Sequence, residues 1–72
     1  MSSIDISPKE ITVRNVIEFK SVELDRFDLI VEDLGYVTIK AVGLEVKSLW
    51  CDSGILWATF KEFVSLEVKS ND

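Results

Sequence analysis

Along most of this chain apolar and polar residues alternate with a period of two, which predicts strands rather than helices. From Ile11 onward, Ile11, Val13, Asn15, Ile17 and Phe19 share one face, while Thr12, Arg14, Val16, Glu18 and Lys20 share the other. The stretch "FDLIVED" repeats the pattern, with Phe27, Leu29 and Val31 inward and Asp28 and Glu32 outward; Ile30 is the apolar exception on the outer face. "YVTIKAV" places Val37, Ile39 and Ala41 inward, and "LEVKSLW" places Leu44 and Val46 inward against Glu45 and Lys47 outward. In "ILWATFKEF" both faces are apolar: Ile55, Trp57 and Thr59 on one, Leu56, Ala58 and Phe60 on the other. "VSLEV" turns Val64, Leu66 and Val68 inward, and the phase slips between Phe60 and Val64 as a bulge requires.

The breaks fall where turn chemistry is strong. Gly35 and Gly43 permit the positive φ of tight turns, and "CDSG" (51–54) is a turn by composition. "KSVELDR" is also turn-like, with only a short helical reading of Val22 and Leu24. The polar leader of residues 1–10, ending in Ser7-Pro8, reads as a flexible arm or an edge segment. The expectation is one small all-β domain over residues 11–72. About six strands form an antiparallel meander that closes into a compact sandwich or partly open barrel.

Composition sharpens this picture. A 72-residue chain buries a modest fraction of its surface, about 60% by general scaling. Its hydrophobic fraction of 47% is high for that size, so apolar surface is left over and a homo-oligomer is expected. Cys51 is the one cysteine and histidine is absent, so no disulfide, ordinary zinc site or other cofactor is expected. The net charge is −5, with the eight cations interleaved among thirteen acids, which disfavours nucleic acid as a partner. No apolar run reaches the roughly 20 residues of a membrane helix, and "MSSIDISPKE" lacks the form of a signal peptide. A cytoplasmic location is the expectation.

No catalytic constellation is legible. Asp28, Glu32, Asp33 and Glu45 fall where a solvated face or turn places carboxylates. Cys51 reads as a small apolar residue at a strand end, its thiol made less reactive by the adjacent Asp52. Gly35, Gly43 and Gly54 match neither a dinucleotide nor a phosphate loop. What remains is surface. The candidate interface comprises Trp57 at its centre, Trp50 at its rim, Phe60, Tyr36, and the last strand's Val64, Leu66 and Val68.

The segments "VIEFKS", "FDLIVED", "LGYVTIKAVGLEVKSL" and "SGIL" together resemble the YabP/YqfC sporulation-protein family. Gly35, Ile39, Lys40, Leu44, Val46, Lys47, Leu49 and Gly54 stand at that family's pattern positions, and the match spans roughly Val16 to Val68. Ala41 stands where the family has a glycine, and Val68 where it has an aromatic residue. The resemblance implies a non-enzymatic component of spore development, coat- or cortex-associated, in the forespore or mother cell, with other sporulation proteins as partners. The alternatives from other classes are a small nucleic-acid-binding barrel of the Sm-like or OB-like kind and a non-catalytic subunit of an enzyme.

Overall fold

The computed structural model describes residues 2–44 and 48–69, apart from the side chains of residues 21 and 22. Among these residues are eight strands and no helix: β1 (Ser3–Ile6), β2 (Glu10–Arg14), β3 (Val16–Glu23), β4 (Arg26–Val31), β5 (Gly35–Val42), β6 (Leu49–Asp52), β7 (Ile55–Thr59) and β8 (Glu62–Lys69). They form two four-stranded antiparallel sheets, one in the order β1-β2-β7-β6 and the other β3-β4-β5-β8. The architecture is a small all-β sandwich. Only β3-β4-β5 runs as a meander; β2 pairs with β7 and β5 with β8, across long stretches of sequence.

The strict alternation predicted for two strands is realised. Phe27, Leu29 and Val31 of β4 and Val37, Ile39 and Ala41 of β5 are buried, in one core with Ile11 and Val13 of β2 and Leu56 and Ala58 of β7. Phe19 closes edge-on against Phe27, with ring centroids 6.3 Å apart.

The expected first strand, Ile11 to Lys20, is two strands in different sheets. Asn15 takes φ 63° and turns the chain from β2 into β3. The corner is held by Val16 N–H donating to the Gly54 carbonyl at 2.8 Å and Glu32 N–H donating to that of Asn15 at 2.9 Å. β3 then carries an extra residue at Ile17 and another at Lys20. The turn at Asn15 brings Val16 onto the core; Ile17, expected inward, is the extra residue and is 65% exposed, and beyond it Phe19 returns to the core as expected. "KSVE" belongs to β3, and the turn is only Leu24-Asp25.

The leader, read as a flexible arm or an edge segment, is the latter: it supplies edge strand β1, which pairs with β2 from Ser3↔Arg14 to Ile6↔Ile11. Pro8 sits in the turn, where a missing donor costs nothing, while Ser7 N–H donates to the Glu10 carbonyl. Leu44 is buried as expected; Glu45, Val46 and Lys47 lie outside the described residues. The turn after β6 is Ser53-Gly54, at φ 52° and 77°. Two consecutive positive φ values are what a type I′ hairpin needs, and they suit the twist of the flanking strands. β8 carries the anticipated phase slip as an extra residue at Val64, between Phe63↔Ala41 and Ser65↔Lys40. Val64 thus points away from the core at 56% exposure, against the inward expectation, while Leu66 packs on it.

Candidate interaction face

β7 lies between β2 and β6, and its register decides which apolar set meets the core. Ile11↔Ala58 and Val13↔Leu56 pair side by side, so Leu56 and Ala58 point inward with β2's apolar face. Phe60, one step further, is 6% exposed and stacks tilted against Phe63. It is a core residue and takes no part in the exposed face to which the sequence assigned it.

The complementary set points out. Across the outer face of this sheet runs one row of directly paired residues, Asp5, Thr12, Trp57 and Trp50, and beside it a second, Ser3, Arg14, Ile55 and Asp52. Trp50 and Trp57 stack with centroids 5.8 Å apart and planes inclined by 28°. Trp57 is half-buried between its neighbours, and Trp50, on edge strand β6, is 54% exposed. Two indoles are thus held together on a sheet surface with nothing packed over them among the described residues.

Charge is distributed around the indoles. Arg14 Nη1 donates to Asp5 Oδ2 at 2.9 Å, an exposed pair of the kind that contributes little stability. Its Nε and Nη2 carry no partner among the described residues. Among the described residues, the Asp52 carboxylate accepts only a 3.5 Å contact from its neighbour Ser53. Glu10 and Asp52 stand at opposite corners of the face, about 16 Å apart by strand spacing and rise, beyond the separation of a hydrolytic carboxylate pair. Arg14 is the one cation among the paired residues of this face, against the carboxylates of Asp5, Glu10 and Asp52, which does not favour a nucleic-acid backbone there.

The other proposed interface residues lie elsewhere. Tyr36 is half-buried on the outer face of the second sheet, opposite Ile30 and Lys69. Val64, Leu66 and Val68 lie on β8, an edge strand of that sheet, and Val68 is exposed at its end although it pairs with buried Val37. The structure therefore brings Trp50 and Trp57 together and separates them from the remaining five. Edge strand β8 is guarded by its bulge and by Glu62, Glu67 and Lys69, devices that discourage strand addition.

Two further groups behave differently from their sequence reading. Asp28 does point outward, but it is only 5% exposed, because Arg26 two residues before it lies on the same face and forks over the carboxylate, Nε to Oδ1 at 3.3 Å and Nη2 to Oδ2 at 3.2 Å. That hydrogen bond, and then the carboxylate's charge, hold the Arg26 pKa above its ordinary value. The arginine at i−2 on a strand was the available signal. Cys51 is exposed at an edge strand, and its thiol pKa is raised, first by desolvation and then by Asp52. Among the described residues, no three histidine, cysteine or carboxylate side chains gather as a metal site would require. No helix there is long and apolar enough to cross a membrane. No family model, no curated protein and no solved structure matches the chain.

Proposed function

We propose that this protein is a non-enzymatic interaction protein that associates with itself through the outer face of the β1-β2-β7-β6 sheet. The observation that carries this reading is the stacked Trp50–Trp57 pair on a face with no covering layer among the described residues. Tryptophan is costly to leave in water and is among the residues most enriched at the centres of protein interfaces. Size sets the strength. Four strands about 4.8 Å apart and about five residues long project only about 300 Å² per copy, below the standard size of specific interfaces, so the contact is a weak one. Such a contact is populated at tens of micromolar rather than nanomolar.

Sedimentation at that concentration tests the reading. The unmodified chain is expected to sediment as an oligomer, and Trp57→Glu as a folded monomer with an unchanged β-type circular dichroism spectrum. A monomeric unmodified chain removes self-association, and an oligomer indifferent to Trp57→Glu moves it to another surface. The resemblance to the YabP/YqfC family supports a place for the assembly in spore development, in the forespore or mother-cell cytoplasm alongside other sporulation proteins. Expression unchanged between vegetative growth and sporulation counts against that placement.

A further inference from the structure

The two rows of the outer face carry more information than their hydrophobicity. Ile55 on β7 is flanked directly by Arg14 on β2 and by Asp52 on β6, so one row reads basic, apolar, acidic. In the neighbouring row Trp57 is flanked by Thr12 and Trp50. A row that is opposite in charge on either side of an apolar residue is complementary to itself after rotation about the line through that residue. Face-to-face dimers obey this rule, because a two-fold contact sets residue i against j and j against i.

Resting on the self-association reading above, we propose that two copies pack outer face to outer face about a two-fold axis running along β7, so that Arg14 of each copy meets the partner's Asp52. The rotation sets β2 over the partner's β6. Each Trp50 then covers the partner's Thr12, while Ile55 and Trp57 lie on the axis and meet their own counterparts. The charged pair forms twice. Facing sheets stand roughly 10 Å apart, a gap that one long arginine and one short aspartate span together. The Arg14 donors not used by Asp5 point the chemistry the same way. Glu10 falls against Ser48 of the partner subunit, with no like charge opposite among the described residues, and Asp5 on β1 overhangs the edge of the overlap.

Two other two-fold axes in this face fit less well. An axis between β2 and β7 sets Arg14 on the partner's Ile55 and Trp50 against the partner's Asp5. An axis across the strands through Trp57 pairs Arg14 with the partner's Glu10. It also presses Asp5 onto the partner's Asp5 and leaves Asp52 without a cation. Like charges so opposed disfavour that dimer.

Charge reversal tests the arrangement. Arg14→Asp alone and Asp52→Arg alone should each weaken the homodimer by about 100-fold or more, since each places two like-charged pairs in the contact. Mixing the two variants should restore association. In the mixed dimer the introduced aspartate of one chain faces the introduced arginine of the other, and the native Arg14–Asp52 pair forms once. The double variant in one chain should also dimerise. Circular dichroism of each single variant confirms that it is folded, and the mixing experiment itself requires both to be so.

If the unmodified chain dimerises and Trp57→Glu abolishes the dimer, yet the mixture stays monomeric, this geometry is wrong and the face remains. Rescue of Arg14→Asp by Glu10→Arg instead establishes the crosswise axis. Single reversals that leave the dimer unweakened also overturn the pairing. Should the unmodified chain prove monomeric at tens of micromolar, both readings fall together.

Discussion

Phe27→Ala should remove most of the stability of this domain. Phe27 has no exposed surface, is paired on both sides, with Val22 of β3 and Ile39 of β5, and meets Phe19 edge-on. Truncating a buried phenylalanine costs about 3–5 kcal/mol, through lost transfer energy plus the cavity left behind. A chain of this length has about 4–11 kcal/mol in total at typical per-residue stabilities. The variant is therefore expected to melt about 15–30 °C lower, or to be unfolded at room temperature. Urea denaturation of the two proteins side by side is the measurement. A loss under about 1 kcal/mol would mean that the sheets collapse onto the cavity and that the core is far looser than its burial indicates.

Gly43→Val attacks the corner between the sheets from the backbone. Gly43 has φ 80°, a region that a β-branched residue enters only under strain. A Cβ there would lie 2.7 Å from Lys61 Cγ and 3.1 Å from Lys61 Cβ. The site is also fastened by Gly43 N–H donating to Asp25 Oδ1 at 3.1 Å and Lys61 N–H donating to the Val42 carbonyl at 2.8 Å. Left-handed strain alone costs about 1–3 kcal/mol, and crowding adds to it, so the expected loss is about 3 kcal/mol. Lys61→Ala separates the two contributions. In that background the Cγ and Cδ clashes vanish while the backbone strain persists, so only part of the loss should be recovered. Full recovery would contradict the conformational argument.

The parts of this fold that could be read from sequence are those where period two runs unbroken over a buried face, as in Phe27/Leu29/Val31 and Val37/Ile39/Ala41. The misread parts share a cause. Asn15 adopts a left-handed conformation that asparagine tolerates without any compositional cue, so one apparent strand concealed two. The extra residues at Ile17 and Lys20 leave hardly any mark in the local pattern, whereas the slip in β8 is visible there and only its place, at Val64 itself, is not. Edge strand β1 could not be told from a flexible arm because its face is half polar and a proline separates it from β2. The candidate face was legible in residue type, as exposed tryptophan, but not in membership. Leu56, Ala58 and Phe60 are as apolar as Ile55 and Trp57, and only the register with Ile11 and Val13 decides which set goes inward. That pairing joins residues far apart in sequence, where local pattern is silent.

The pairing of β2 with β7 also governs the order in which the molecule can assemble. β3, β4 and β5 are consecutive hairpins and need only their own turns, whereas Ile11 waits for Ala58 and the sheet of β1, β2, β6 and β7 cannot close until nearly the whole chain is present. Loop-closure entropy must be met before such contacts return anything, which places folding in the slow, high-contact-order regime of about milliseconds to seconds. On a ribosome the N-terminal hairpin emerges early and stands with an unsatisfied edge until the last third of the chain follows. We expect the transition state to hold the β3-β4-β5 meander. Substitutions at Leu29 and Ile39 should then slow refolding, and those at Val13 and Leu56 should chiefly hasten unfolding. Equal effects on refolding from both pairs would mean that the two sheets form together.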